Sequence, residues 1–144
     1  MAASAGIGDL RTALLVVLVF AVLGPPVGAL AFGVMVAAAA PFFAPDDGLG
    51  LLVLYGVVLL LPVAWMVGGL QAVLTGAATA LWSWRHGAVP LRIPLIAACV
   101  LAAISVARSG ETLDVAVLLF AAHPVAAAAS WLVCARLLGW PARF

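Results

Sequence analysis

The chain has 144 residues, of which 68% are hydrophobic and 8% charged, with a formal net charge of +1. Soluble domains are nearer half apolar and a quarter charged, and a chain this short has too little interior to hide so much apolar surface from water. The composition therefore excludes an ordinary soluble domain, and the near-zero charge excludes a basic face for nucleic acid or an acidic tail.

A helix needs about 20 apolar residues to cross a hydrocarbon core about 30 Å thick. Four runs meet that need. The first covers about 12–40 and contains Gly24-Pro25-Pro26, which predicts a kink. Arg11, the apolar stretch from Ala13 and the sequence Ala29-Leu30-Ala31 also allow a signal-peptide reading. The single Arg and the apolar continuation through Ala40 argue against cleavage. A turn follows at Pro45-Asp46-Asp47-Gly48. The second run covers about 51–84 and is interrupted by Pro62. His86-Gly87 and Pro90 mark the next connection. The third run, about 91–108, is short, so Arg92 is expected to reach back to the interface. Ser109-Gly110 separates it from the fourth, about 114–138, which is expected to kink at Pro124. The runs do not alternate and are far longer than barrel strands of about 10 residues. The expected fold is an all-α integral membrane bundle of four transmembrane helices, forming one domain over 1–144.

Orientation is read from arginine. Lys is absent, and with abundant Ala this usage suggests a GC-rich bacterial genome. Arg11, Arg85, Arg92, Arg136 and Arg143 fall on one side of the expected spans, and only Arg108 on the other. Both termini are then cytoplasmic and the location is a bacterial inner membrane. Trp82, Trp84, Trp131 and Trp140 are expected as an aromatic belt at that interface, with Phe42, Phe43 and Tyr55 near the other.

Gly24-Pro25-Pro26-Val27-Gly28, Tyr55-Gly56 and the run Gly68-Gly69-Leu70-Gln71-Ala72-Val73-Leu74-Thr75-Gly76 together resemble a pattern in uncharacterised small four-helix inner-membrane proteins of alphaproteobacteria. The resemblance covers the first two spans and implies no activity. Gln71 departs from it, standing where the pattern has proline, so no role for Gln71 follows from the likeness.

Within the second span, Gly68, Ala72, Gly76 and Ala80 recur every fourth residue, beside a polar row of Gln71, Thr75, Thr79 and Ser83. Residues four apart share a helix face, and small residues let helix backbones approach closely in lipid. Helix packing is the preferred reading of that face, within the chain or between copies. A polar path lined by Gln71 and Thr75 is the sharper one. Counting from the cytoplasmic arginine of each span, Gln71 is 14 residues from Arg85, His123 is 13 from Arg136, Ser105 is 13 from Arg92 and Pro25 is 14 from Arg11. At the helical rise these share one level about 19–21 Å from the interface. Gln71, Thr75, Ser105 and His123 are the candidate polar midplane site. His123 is the one ionisable side chain deep in a span, which makes it a functional suspect by default. The preferred reading is a neutral His123 that satisfies one buried carbonyl beside the Pro124 kink; the sharper one is a proton-linked or ligand-binding His123 with Gln71 and Ser105 as hydrogen-bond partners.

Cys99 and Cys134 read as small packing residues, and His86 sits in a loop away from His123 in depth. Glu111 and Asp114 suit the dipole at the start of the fourth helix. No cofactor, metal or enzyme activity is expected, because no phosphate loop, nucleophile elbow or metalloprotease spacing occurs. The expected partners are the lipid bilayer and either a second copy or a larger membrane protein, with no nucleic acid. A structural or accessory component is the first expectation for function. The alternative is a small oligomeric channel or transporter with its site at Gln71, Ser105 and His123.

Overall fold

The computed structural model describes residues 9–43, 55–59, 61–110 and 112–141, and of their side chains all but those of 40–43, 67, 109 and 114. Among them the regular structure is entirely helical. Helix α1 is Leu10–Phe43, α2 is Ala64–His86, α3 is Arg92–Ser109 and α4 is Leu113–Leu138. Residues 55–59 are also helical. The second apolar run is divided: a short 3-10 turn at Leu61–Val63 precedes α2. Pro62 lies in that turn, where a residue without an N–H cannot serve an α-helical ladder. Asp46, Asp47 and Glu111, the Pro45 turn and Arg143 lie outside the described residues, as do the side chains of Phe42, Phe43 and Asp114.

Glycine ends three of the four helices. Gly87, Gly110 and Gly139 have φ of 79°, 66° and 63°, a left-handed region that L side chains avoid. At the end of α4 the Trp140 N–H returns to the Ala135 carbonyl at 2.9 Å, closing a Schellman turn. These stops allow the chain to reverse within a few residues.

Helices α1 to α4 pack in cyclic order, each against the next and α4 back against α1. The α1–α2 contact is antiparallel and very close. A Cβ added to Gly24 would lie 3.0 Å from the Ala72 Cβ, and one on Gly76 would lie 2.9 Å from the Phe20 Cβ and 3.2 Å from the Val17 Cα. Gly68 lies against Pro25, and Gly33 against Val57. Between α1 and α4, Gly28 faces Ala126. Gly68, Ala72 and Gly76 thus lie against α1, and Ala80 is buried on the same helix.

Side-chain size and polarity run from inside to outside in the reverse of a water-soluble bundle. Besides Val16, Phe20 and Trp131, the buried side chains include Ala80, Ala98, Ala102, Ala122 and Ala127, together with Thr75, Thr79, Ser83 and Ser130. Large apolar residues point outward: Leu14, Leu18 and Val22 on α1, Met66, Leu70 and Leu81 on α2, Ile96 and Val100 on α3, Val117 and Leu132 on α4. Met66 is 87% exposed. Helix α1 over Leu10–Ala39 and α4 over Val115–Leu138 are long and apolar enough to cross a membrane, with mean hydropathy of 2.5 and 1.9.

Two indoles join elements through backbone carbonyls. Pro25 has no N–H for the Ala21 carbonyl one turn earlier. The Trp65 Nε1 of α2 donates to that carbonyl at 3.0 Å. Trp131 does not join an outward aromatic belt: it is 1% exposed, and its Nε1 donates to the Val89 carbonyl at 2.8 Å. Counting along the sequence places it at an interface, but its face of α4 turns into the bundle, where it anchors the connection between α2 and α3. Trp84 is exposed, and Trp82 stacks on His86 with ring centroids 4.3 Å apart.

The close α1–α2 contact makes a stability prediction. Gly76→Leu is expected to destabilise the protein by about 1–3 kcal/mol through overpacking against Phe20 and the α1 backbone. Gly69→Ala is expected to be neutral or slightly stabilising, since its added Cβ meets only the Trp65 Cβ at 3.9 Å. Thermal unfolding of both variants in the same detergent tests this; equal stabilities would refute it.

Candidate functional site

Three helices each contribute one polar side chain to a single hydrogen-bond chain. Gln71 stands on α2, Ser105 on α3 and His123 on α4, and all three are partly buried. The Gln71 amide bridges the other two: its Nε2 is bonded to Ser105 Oγ and its Oε1 to His123 Nε2. The two ends of the chain are tied to backbone. His123 Nδ1 is 2.7 Å from the Leu119 carbonyl, and Ser105 Oγ donates to the Leu101 carbonyl at 2.9 Å. Both end bonds reach back four residues, the geometry any helix offers to a Ser or His side chain.

Leu119 supplies a carbonyl, so the proton in its bond with His123 belongs to Nδ1. This leaves Nε2 as the nitrogen presented to Gln71. A glutamine is well suited to the middle position because its amide has both donors and acceptors, and it can bond to a hydroxyl on one side and an imidazole on the other.

The chain opens onto a cavity of about 320 Å³ among α1, α2 and α4. Gln71 and His123 are its strongly polar lining, with Thr75 beside them. Phe20 and Phe32 give aromatic surface, and Gly24, Gly28 and Gly68 contribute backbone to the wall. Val57, Val63 and Ala64 border it near the 3-10 turn. Thr75 is buried on the cavity wall and its carbonyl accepts the Thr79 hydroxyl at 2.8 Å. Ser105 takes part through Gln71 and does not line the cavity.

His86 lies elsewhere, exposed at the end of α2, with Nδ1 3.2 Å from the Trp82 carbonyl. Cys99 and Cys134 are free thiols. Among the described residues no group of three or more His, Cys, Asp or Glu is placed to hold a metal ion. The N-cap position of α4 is Thr112, whose side chain makes no capping bond.

Sequence reasoning missed the wall formed by Phe20, Phe32 and the α1 glycines. Gly24-Pro25-Pro26 was expected to kink the first span, whereas α1 is assigned as helix without interruption over Leu10–Phe43; nothing local says that Gly24 receives Ala72 or that Pro25 lines a cavity. The Ser130 hydroxyl was also not anticipated as an orphan. It is fully buried and is the one described side-chain polar atom at that depth without a partner.

The central position of Gln71 gives an order of effects. Gln71→Leu strands the His123 Nε2 and is expected to cost about 1–3 kcal/mol of stability, the penalty for an unsatisfied buried group. Ser105→Ala is expected to cost less, about 1 kcal/mol, since it removes the terminal hydroxyl and leaves the His123–Gln71 bond in place. Unfolding in bicelles measures both, and a Ser105→Ala loss exceeding that of Gln71→Leu would contradict the bridging role.

No family model, curated protein or solved structure matches the chain.

Proposed function

We propose that the protein is a four-span integral protein of a bacterial inner membrane, with both termini cytoplasmic, and that it is a small transporter whose substrate rests in the cavity beside Gln71 and His123. The carrying observation is the cavity of about 320 Å³ with a hydrogen-bonded His–Gln pair in an otherwise apolar wall. Ionisable groups inside a membrane are costly and mark substrate or proton paths. Cavities lined mainly by apolar side chains with a few convergent polar groups are the usual form of a small-molecule site.

The outward Leu, Val and Ile surfaces of α1 and α4, together with those of α2 and α3, support the four-span reading. Arg85 and Arg92 flank the α2–α3 connection, and Arg136 lies in the last turn of α4, near the same end through the Trp131–Val89 bond. This clustering supports cytoplasmic termini. Bends at Pro25/Pro26, Pro62 and Pro124 belong to the same proposal. They are supported by the sideways bonding of the Ala21 carbonyl by Trp65 and by the 3-10 turn at Pro62.

A structural or accessory role was the first expectation from sequence, motivated by small-residue helix faces. Those faces are largely spent within the chain, since Ala72 and Gly76 close on α1 and Gly28 on Ala126. That weakens its motive and favours the transporter.

Flux measurements separate the two readings. Proteoliposomes are expected to exchange at least one of three radiolabelled solutes, benzoate, benzylamine or indole, faster than empty liposomes. His123→Ala is expected to abolish the excess. Absence of any excess flux from folded protein, combined with stoichiometric recovery of a second membrane protein, would instead establish the accessory role.

A further inference from the structure

The hydrogen-bond chain carries information about what the cavity takes, provided that the cavity is a ligand site as proposed above. His123 Nδ1 is committed to the Leu119 carbonyl. Two proton arrangements then satisfy the rest of the chain. With a neutral imidazole, the Gln71 amide turns over from the orientation seen in the structure, its NH2 donates to His123 Nε2, and the Ser105 hydroxyl leaves the Leu101 carbonyl to donate to the Gln71 carbonyl. With an imidazolium, Nε2–H donates to the Gln71 carbonyl, the Gln71 NH2 donates to Ser105 Oγ, and the Ser105 hydroxyl donates to the Leu101 carbonyl, its partner at 2.9 Å. The two differ by one proton and a half-turn of the Gln71 amide, whose O and N ends have nearly the same shape.

In both arrangements Gln71 has one N–H and one oxygen lone pair left over. One donor and one acceptor on a single amide complement a carboxyl group, whose carbonyl accepts and whose hydroxyl donates. A carboxylate in the same place accepts the spare N–H, and it needs a positive charge close by because the wall is apolar. The imidazolium arrangement supplies that charge. Among the described residues no Asp, Glu, Lys, Arg or Cys lines the cavity. Among the described side chains, the charged groups of the surrounding helices are Arg11 on α1, Arg85 on α2, Arg92 and Arg108 on α3 and Arg136 on α4, all exposed, with exposed Asp9 ahead of α1 and exposed His86 ending α2; Asp114, in the first turn of α4, has its side chain outside the described ones. His123 is therefore, among the described residues, the one ionisable side chain in the cavity wall.

We infer that the cavity binds a monocarboxylic acid with an apolar, aromatic body, and that the acid enters together with one proton. Phe20 and Phe32 favour the aromatic ring. One carboxylate and one proton from water combine with the protein, and no covalent bond between heavy atoms changes. The proton ends on the carboxyl oxygen beside a neutral His123, or on His123 Nε2 beside the carboxylate.

Three probes with one ring system test this: naphthalene-2-carboxylate, its methyl ester and 2-methylnaphthalene. Each is titrated into the full chain in lipid nanodiscs at about pH 8, above the ordinary carboxylate range of the free acid, with empty nanodiscs subtracting lipid partition. Saturable binding of the acid, roughly tenfold tighter than that of the ester, is expected. Calorimetry in buffers of different ionisation heat should show about one proton taken up per acid bound and none for the ester. Gln71→Met should narrow the acid–ester difference; if that variant does not fold, the comparison of probes on the unaltered protein decides alone. Ester or hydrocarbon binding as tight as the acid, or acid binding without proton uptake, overturns the carboxylic-acid assignment while leaving the cavity as a ligand site. Failure of all three probes to saturate overturns the ligand site as well.

Discussion

A hydrogen-bonding group surrounded by hydrocarbon has no water to turn to, so it must find a partner inside the protein. On the membrane-spanning reading proposed above, that constraint organises this bundle. The Ala21 carbonyl, deprived of an N–H by Pro25, is met by the Trp65 indole from another helix. The Trp131 indole reaches the Val89 carbonyl and fixes the α2–α3 connection to α4. Gln71 holds Ser105 on one side and His123 on the other, so α2, α3 and α4 are joined at one level. Each of these bonds joins separate elements, and in lipid such bonds take part of the role that hydrophobic burial has in water.

Close approach supplies the remainder. Glycine and alanine at the α1–α2 contact bring backbones together, which maximises van der Waals contact where apolar burial gives little. The same small residues have a second effect. Gly24, Gly28 and Gly68 also line the cavity beside Gln71 and His123. Packing and site are thus two consequences of one composition. The α1–α2 contact is tight at Gly76 and Phe20 and again at Gly24 and Ala72, and Phe20, Gly24 and Ala72 also line the cavity.

The all-helical character was legible from composition and run length. So was the shared level of Gln71, Ser105 and His123, because depth along a helix depends only on counting residues from an interfacial arginine. Azimuth was harder to read. Trp131 has the depth of an interfacial residue, yet its side chain turns inward, and a count along the axis cannot distinguish the two. Small-residue spacing on α2 marked a packing face but left its partner open, and α1 occupies it. The role of Trp65 depends on a carbonyl freed by a proline 40 residues earlier. No local pattern connects the two. Ser130 shows the same limit, since its lack of a partner follows from which helix faces it.

Everything depends on lipid being the medium outside the bundle. Spin labels at Leu18, Leu70, Val100 and Leu132, placed one at a time in protein reconstituted into bilayers, test this most directly. Accessibility to dissolved oxygen should be high at all four and accessibility to a water-soluble nickel chelate low, with the reverse at Arg85. Nickel accessibility at the four apolar positions equal to that at Arg85 would contradict the membrane-spanning architecture and the site built within it.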